Sequence, residues 1–382
     1  MKFLGSIFIF SIVFLVSCVD SRSTDENVKV IDIDVSQFVN SFDMLLLLDT
    51  SKCSMTVLET TENNLIGHVD KLSVVKDRMY ILDCDNSIIL IYDINGKYLS
   101  KIASRGRARN EYTEIADFYV SENRLYLLDN MGMKLLIYDL FGQYIRTLDI
   151  SMYWANGVFA INDMIYLINH DSDTQHGKYH IFEIDSNGVL VNRYWKCKEM
   201  AGIGPDMNVC SSIDGEFHVC ILPENSIYKI DTSSCRLDYK VNFVDKNLPT
   251  KYFAKDLRTL IQEGVVERYI LGVEKIQESQ NYLFIYFRYN GEPHTALYNK
   301  LTEETIVCGG LQISSMYGIG LGNYYVIGND IYEVIDANTF RILVPEIEKY
   351  KKRNDKYIRK LEKISNEISD EDNPIIIRYR LK

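Results

Sequence analysis

A short segment of this chain recurs at intervals of 46 residues. Ile91-Tyr92-Asp93-Ile94-Asn95-Gly96-Lys97-Tyr98 returns as Ile137-Tyr138-Asp139-Leu140-Phe141-Gly142-Gln143-Tyr144, then as Glu183-Ile184-Asp185-Ser186-Asn187-Gly188, and more loosely as Lys229-Ile230-Asp231-Thr232-Ser233-Ser234. Upstream, Met79-Tyr80-Ile81-Leu82-Asp83 matches Leu125-Tyr126-Leu127-Leu128-Asp129 at the same interval. In the first unit, runs of β-forming residues at 72–75, 79–82, 88–92 and 98–102 are separated by Asp, Asn and Gly, the residues of tight turns. Four such runs make one antiparallel sheet. Gly96, Gly142 and Gly188 fall where a hairpin needs positive φ, and the aspartate before each is placed to accept hydrogen bonds from the turn backbone. The repeated aspartates are therefore turn-formers rather than catalysts. Four strands per unit of about 40–50 residues describe a β-propeller, whereas TPR or leucine-rich solenoids would need a recurring helical pattern that is absent.

Units begin near Asp70, Ala116, Asn162, Asn208, Leu271 and Gly309, so the expected fold is an all-β, six-bladed propeller spanning residues 28–382. The fifth unit is displaced by an insertion at about 248–270, which predicts a helix with Phe253, Leu257, Leu260 and Ile261 on one face. A second helical insertion at about 345–370 aligns Tyr350, Tyr357, Leu361, Ile364 and Ile368 in a stripe that packs against the propeller. Beyond it, Asn373-Pro374-Ile375-Ile376-Ile377-Arg378-Tyr379 repeats the pattern of Asn86-Ser87-Ile88-Ile89-Leu90-Ile91-Tyr92, the third strand of a blade. That last blade then lacks its outer strand. Residues 28–35 or 44–48 are expected to supply it, closing the ring by pairing the two ends of the chain.

Lys2 followed by an apolar run at 3–16 reads as a signal peptide over residues 1–17, since the run is shorter than the roughly 20 residues that span a bilayer. Leu15-Val16-Ser17-Cys18 resembles the bacterial lipobox, which makes Cys18 the expected lipidation site and a membrane the first expected partner. Residues 18–27 are polar and read as a tether. The chain holds 42 basic and 53 acidic residues, a net charge of −11, so nucleic acid is not an expected partner. Apart from Cys18, seven cysteines remain; none forms a CxxC, and buried free thiols are expected, with Cys210 and Cys220 the pair best placed for a bridge.

Leu58-Glu59-Thr60 with Asn64-Leu65-Ile66-Gly67, the stretch Arg105-Gly106-Arg107-Ala108-Arg109-Asn110-Glu111-Tyr112, and the closing Glu371-Asp372-Asn373-Pro374 carry a resemblance over most of the chain. It resembles the six-bladed propeller lipoproteins of Gram-negative bacterial envelopes, related in shape to NHL-type propellers. In the second motif this chain has Arg107-Ala108-Arg109-Asn110 where the family form is close to G-x-G-P-x-E-Y. The resemblance implies a lipid-anchored protein of the cell envelope, at the outer membrane, and implies no reaction or cofactor.

Within a blade, the loops joining the second to the third strand and each blade to the next leave by one face; the tight turns leave by the other. Nearly every irregular segment belongs to the first face, so a ligand is expected there, where a rigid scaffold positions variable loops. Arg105, Arg107 and Arg109 form a dense basic cluster that can grip a carboxylate or sulfate, with Glu111 and Tyr112 completing the loop. Trp154 with Asn156 can stack on a sugar ring, and Asp206 lies in another such connection. His170, His176 and His180 share a loop with Asp171 and Asp173 but lack the spacing of a metal site, and no nucleophile elbow, P-loop or zinc motif occurs. The leading expectation is a non-enzymatic binding module for a protein, peptide or glycan. The alternative is a glycan- or peptide-directed hydrolase or lyase using Glu111, Asp206 and Arg109.

Overall fold

The structure is a computed structural model that describes residues 28–170, 172–197, 210–213, 215–221, 225–232, 234–313, 319–350 and 356–382. Cys18, Asp206 and Asp171 lie outside them. Six four-stranded antiparallel blades, each running from an inner strand A to an outer strand D, surround a central channel. Blade 1 is Lys71–Val75, Arg78–Asp83, Ile88–Asp93 and Tyr98–Ile102. Blade 2 is Asp117–Val120, Leu125–Asp129, Lys134–Tyr138 and Tyr144–Asp149. Blade 3 is Gly157–Ile161, Met164–Ile168, Tyr179–Ile184 and Leu190–Lys196. Blade 4 is Cys210–Ile213, Glu216–Ile221, Ser226–Ile230 and Cys235–Phe243, and blade 5 is Val273–Glu278, Tyr282–Tyr289, Glu292–Asn299 and Thr305–Cys308. Blade 6 takes Asn323–Ile327, Asp330–Ile335 and Ile375–Leu381 in order, then Leu48–Val57 from the other end of the chain as its outer strand.

The repeated aspartates do what their spacing predicts. Asp93 Oδ1 accepts from the N–H groups of Asn95 and Lys97 at 2.8 and 2.9 Å, Asp139 Oδ1 from Phe141 and Gln143, and Asp185 Oδ1 from Asn187 and Val189. Each bracket closes a C–D turn around a glycine, with φ of +88° at Gly96. A side chain at Gly96 would also collide with the Val57 carbonyl of the closing strand, 2.2 Å from the Cβ position. A second pair of repeated aspartates, Asp83 and Asp129, is fully buried and ties each blade to the crossover before it: Gly67 N–H donates to Asp83 Oδ2 and Thr113 N–H to Asp129 Oδ2, both at 2.7 Å.

The ends of the chain meet as a strap. Lys29–Ile33 pairs in parallel with the outer strand of blade 4, Val39 bridges Cys308 at the edge of blade 5, and Phe42–Asp43 pairs with Leu311–Ile313 before Leu48–Val57 enters blade 6. Residues 28–35 therefore serve blade 4, and the run at 44–48 is mostly a 3-10 turn, Met44–Leu46, leading into the closing strand. Polar residues predominate in Leu48–Val57, and Ser51 and Lys52 are exposed on this outer strand.

Four further expectations shift. Blade 3 begins at Gly157, with Asn162 in its first turn, and blade 6 begins at Asn323, because Leu311–Ile313 and Ile319–Gly320 pair in a small sheet between blades instead. The first insertion forms only a six-residue helix, α1 (Leu257–Gln262), capped by Asp256; Leu260 is buried, while Leu257 and Ile261 are about half exposed, at 45% and 53%. The second forms two helices, α2 (Ala337–Tyr350) and α3 (Lys356–Glu367), so Pro345 lies inside a helix rather than at its start. Leu361, Ile364 and Ile368 of the expected stripe pack into the core with Phe340, Val344 and Ile347. Finally, Cys220 is a free buried thiol, as is Cys308; Cys197 is buried and Cys84 is exposed. The ladder sets Cys210 opposite Val219, not Cys220.

The closure is fastened at Asn373, a buried side chain just before the C strand of blade 6. Its Oδ1 accepts from Ile66 N–H at 2.9 Å, and its Nδ2 lies 2.9 Å from the Glu59 carbonyl, 3.0 Å from the Asn64 carbonyl and 3.2 Å from Tyr92 Oη. Asn373→Ala would leave buried partners unmatched, so it is expected to cost about 2–4 kcal/mol of stability. Urea unfolding monitored by circular dichroism checks this; an unchanged midpoint would mean that the ring does not depend on this fastening.

Candidate functional site

The inner strands leave a cavity of about 250 Å³ in the channel, lined by residues of all six blades, including Lys71, Asp117, Phe159, Phe217, Lys275 and Tyr325. Lys71 Nζ reaches Asp117 Oδ1 at 2.6 Å and the Phe118 carbonyl at 2.7 Å, while Asp117 Oδ2 accepts from Val158 N–H. The buried carboxylate of the channel wall is thus fully engaged in joining blades 1, 2 and 3. Phe159 stacks on Phe217 with ring centres 4.3 Å apart, and Tyr119 packs edge-on to Phe217 at 5.5 Å. Tyr119 also lines a wider hollow of about 960 Å³ on the face of the tight turns, together with residues 121–123 and 160–162.

The arginine loop is closed on itself. Ala108 N–H donates to Glu111 Oε2 at 2.8 Å, Gly106 N–H donates to the Tyr112 carbonyl, and Arg105 Nε donates to the Thr113 carbonyl. Tyr112 is buried, its hydroxyl donating to the Ser87 carbonyl at 2.6 Å. A Cβ at Gly106 would lie 2.0 Å from Glu111 Oε2 and would displace that carboxylate from the loop. Glu111 and Tyr112 are therefore spent on loop shape, while the side chains of Arg107 and Arg109 are exposed. Lys134 Nζ donates to the carbonyls of Ala108 and Glu111, and Thr147 donates to the Arg109 carbonyl, which seats the loop over the third and outer strands of blade 2.

On the other side of the same blade, the loop at 151–156 is anchored by Tyr153, a buried ring stacked on His176 at 5.1 Å with its hydroxyl on the Gly188 carbonyl. That anchor leaves Trp154 half exposed (50%) with φ of +48°, a conformation uncommon for a large side chain. Asn156 is partly buried, and its N–H donates to the Ile168 carbonyl. Ile150 N–H bonds to the Met133 carbonyl, so this loop abuts the turn at 130–133, the turn that Lys134 joins to the arginine loop. These bonds link three segments of the looped face of blades 2 and 3, and each carries exposed side chains: Arg107 and Arg109, Met131, and Met152 with Trp154. Met131 and Met152 are 67% and 37% exposed.

Sequence reasoning missed His218. It is buried between blades 4 and 5, with Nδ1 2.7 Å from Glu278 Oε2 and Nε2 2.8 Å from Asp238 Oδ2; Lys300 closes on Glu278 from the other side. Only the doubly protonated ring donates to both carboxylates. Burial pushes its pKa down, but the hydrogen bonds and charges of Asp238 and Glu278 outweigh this and hold it above the ordinary histidine value. Both carboxylates are held below theirs by the same contacts, against their own burial. Every charge is answered, which marks a clasp between blades. No repeat or motif points to it, because its members come from three strands of two blades and one turn.

Comparison with known proteins follows the fold. A family model described as a domain of unknown function, DUF4934, matches residues 29–380. No functionally curated protein matches the chain. Among solved structures, a putative exported protein from Bacteroides fragilis is 16% identical and aligns over 93% of this chain and 100% of its own, with a TM-score of 0.73. A member of the DUF4221 family from Bacteroides vulgatus is 12% identical over 88% of this chain and 98% of its own, with a TM-score of 0.48. The first is a likeness of fold. No helix among the described residues is long and apolar enough to cross a membrane.

The clasp sets a pH dependence. A histidine whose pKa is raised by folding stabilises the fold fully below its ordinary value of 6.5 and loses that contribution as pH rises through the folded value. His218→Gln is expected to lower stability by about 3 kcal/mol near pH 6, with the gap to the wild type narrowing towards pH 9. Thermal melts of both proteins across that range read the gap; one that widened with pH would show that the ring is neutral in the fold.

Proposed function

We propose that this chain, which belongs to the DUF4934 family of domains of unknown function, is an exported, lipid-anchored binding module that recognises a partner protein through its looped face. The exposed side chains of Arg107, Arg109, Met131, Met152 and Trp154 carry this reading. Tryptophan, methionine and arginine are the side chains enriched where proteins bind one another, and buried aromatics dominate the energy of such contacts. Here Trp154 stands proud of the surface because Tyr153 beneath it is fixed, so little ordering cost remains for binding. In an acidic protein the two exposed guanidiniums favour an acidic partner surface.

Location rests on other features. Leu15-Val16-Ser17-Cys18 and the polar stretch after it support acylation at Cys18, and the resemblance to envelope lipoproteins points to the outer membrane. The similar protein from Bacteroides fragilis is itself described as exported. The hydrolase or lyase reading drew on Glu111, Asp206 and Arg109; of these, Glu111 is turned into its own loop, and Asp117 of the channel wall is held by Lys71 and Val158 N–H.

Two measurements test this. Cys18→Ser is expected to move the protein from the membrane to the soluble fraction of the cells that make it, and retention in the membrane would remove the anchor. With the soluble domain as bait, a partner protein from the same envelope is expected to bind about 30-fold more weakly to Trp154→Ala, the loss typical of a central aromatic. A glycan that binds the wild type and is lost with Trp154→Ala, with no protein partner affected, would replace this reading.

A further inference from the structure

Two lysines enter the channel near the looped face, and their situations differ. Lys71 is paired with Asp117. Lys275, on the inner strand of blade 5, has no hydrogen bond or ion pair among the described residues. Its ammonium lies 5.9 Å from the centre of the Tyr286 ring and 5.8 Å from that of Tyr325, near the outer limit of a cation–π contact. It lines both the 250 Å³ channel cavity and an adjoining hollow of about 310 Å³ between blades 5 and 6.

Neighbouring polar groups do not answer its charge. Gln277 donates to Tyr286 Oη at 2.8 Å and accepts from Val326 N–H at 2.8 Å, so both ends of its amide are used. Tyr286 in turn donates to Tyr324, and Tyr325 to the Val69 carbonyl. Glu274, one residue away, pairs with Arg288 at 3.1 Å. Lys71, in the same cavity wall, is of the same sign, and Asp70, the carboxylate of that wall on blade 1, accepts from Cys84 N–H at 2.7 Å. Burial, and then Lys71, hold the Lys275 ammonium below the ordinary lysine range. A propeller that pairs the charges of His218, Asp238, Glu278 and Lys300 so fully has left this one open among the described residues, and a partly buried ammonium carries a desolvation cost that a bound counter-charge would offset.

We propose that Lys275 anchors a binding site inside the channel for a small anion bearing a carboxylate, phosphate or sulfate group. Lys71 contributes the third N–H of its ammonium, the other two being held by Asp117 and the Phe118 carbonyl. The aromatic wall of Phe159, Phe217 and Tyr325 packs the remainder of the ligand. At about 250 Å³ the cavity is smaller than the roughly 300–1,000 Å³ of pockets for drug-sized ligands, which restricts the ligand to a small acid. This site is separate from the exposed side chains over blades 2 and 3 and does not depend on them.

The test titrates the full soluble domain with inorganic phosphate, sulfate and acetate at constant ionic strength in chloride, reading the melting temperature of the wild type and of Lys275→Met. At least one anion is expected to raise the wild-type value along a saturable curve. Lys275→Met is expected to melt at or above the wild type in chloride, since an unpaired charge is gone, and to show only the shallow linear rise that excluded salts produce in any protein. A second reading needs no variant: carbamoylation of Lys275 by cyanate, followed by mass spectrometry, is expected to slow at least fivefold in the stabilising anion, while an exposed lysine such as Lys97 is unaffected. Equal anion responses in the two proteins, or labelling of Lys275 that no anion slows, would overturn the proposal.

Discussion

A propeller is stable only as a closed ring, because an open one presents unpaired strand edges on both its first and last blades. In this chain the closing bond is made between segments more than three hundred residues apart in sequence. Leu48–Val57 completes blade 6 against Ile375–Leu381, and the Asn373 amide, buried beside it, binds the backbone of residues 59, 64 and 66 at once. The N-terminal strap extends this fastening over the outer edges of blades 4, 5 and 6. Without that registration the inner strands have no common axis, and neither the channel nor the alignment of loops on one face exists.

Closure also explains how the blades share polar groups. Where two blades meet, a side chain of one completes the backbone or charge of the next: Asp117 reaches Val158 N–H in blade 3, Gln277 reaches Val326 N–H in blade 6, and His218 of blade 4 joins Glu278 of blade 5. Such bonds are short-range and directional, so they position neighbouring blades more sharply than the apolar surfaces between them can. Lys275, with no hydrogen bond or ion pair among the described residues, belongs to the channel and not to these joints.

The looped face owes its organisation to one turn. Residues 130–133 of blade 2 receive the arginine loop on one side, through Lys134, and the tryptophan loop on the other, through the Ile150–Met133 hydrogen bond. Two connections that look independent along the chain are thereby linked on one face, with their exposed tips on the outside and their buried tyrosines, Tyr112 and Tyr153, inside.

Much of the architecture was legible in the chain because a propeller is built from local units. The 46-residue spacing of Asp93, Asp139 and Asp185 reports a turn whose geometry is set within five residues, so the repeat, the blade count and the face of the loops follow from it. The motifs at Asn64, Gly106 and Asn373 were visible too, although their roles as fasteners and loop braces were not. Sequence could not choose which N-terminal run closes the ring, place the start of blade 6, or reveal the His218 clasp and the unpaired Lys275. Those depend on side chains brought together from different blades, where the distances are decided by ring closure and not by the spacing of residues along any one strand.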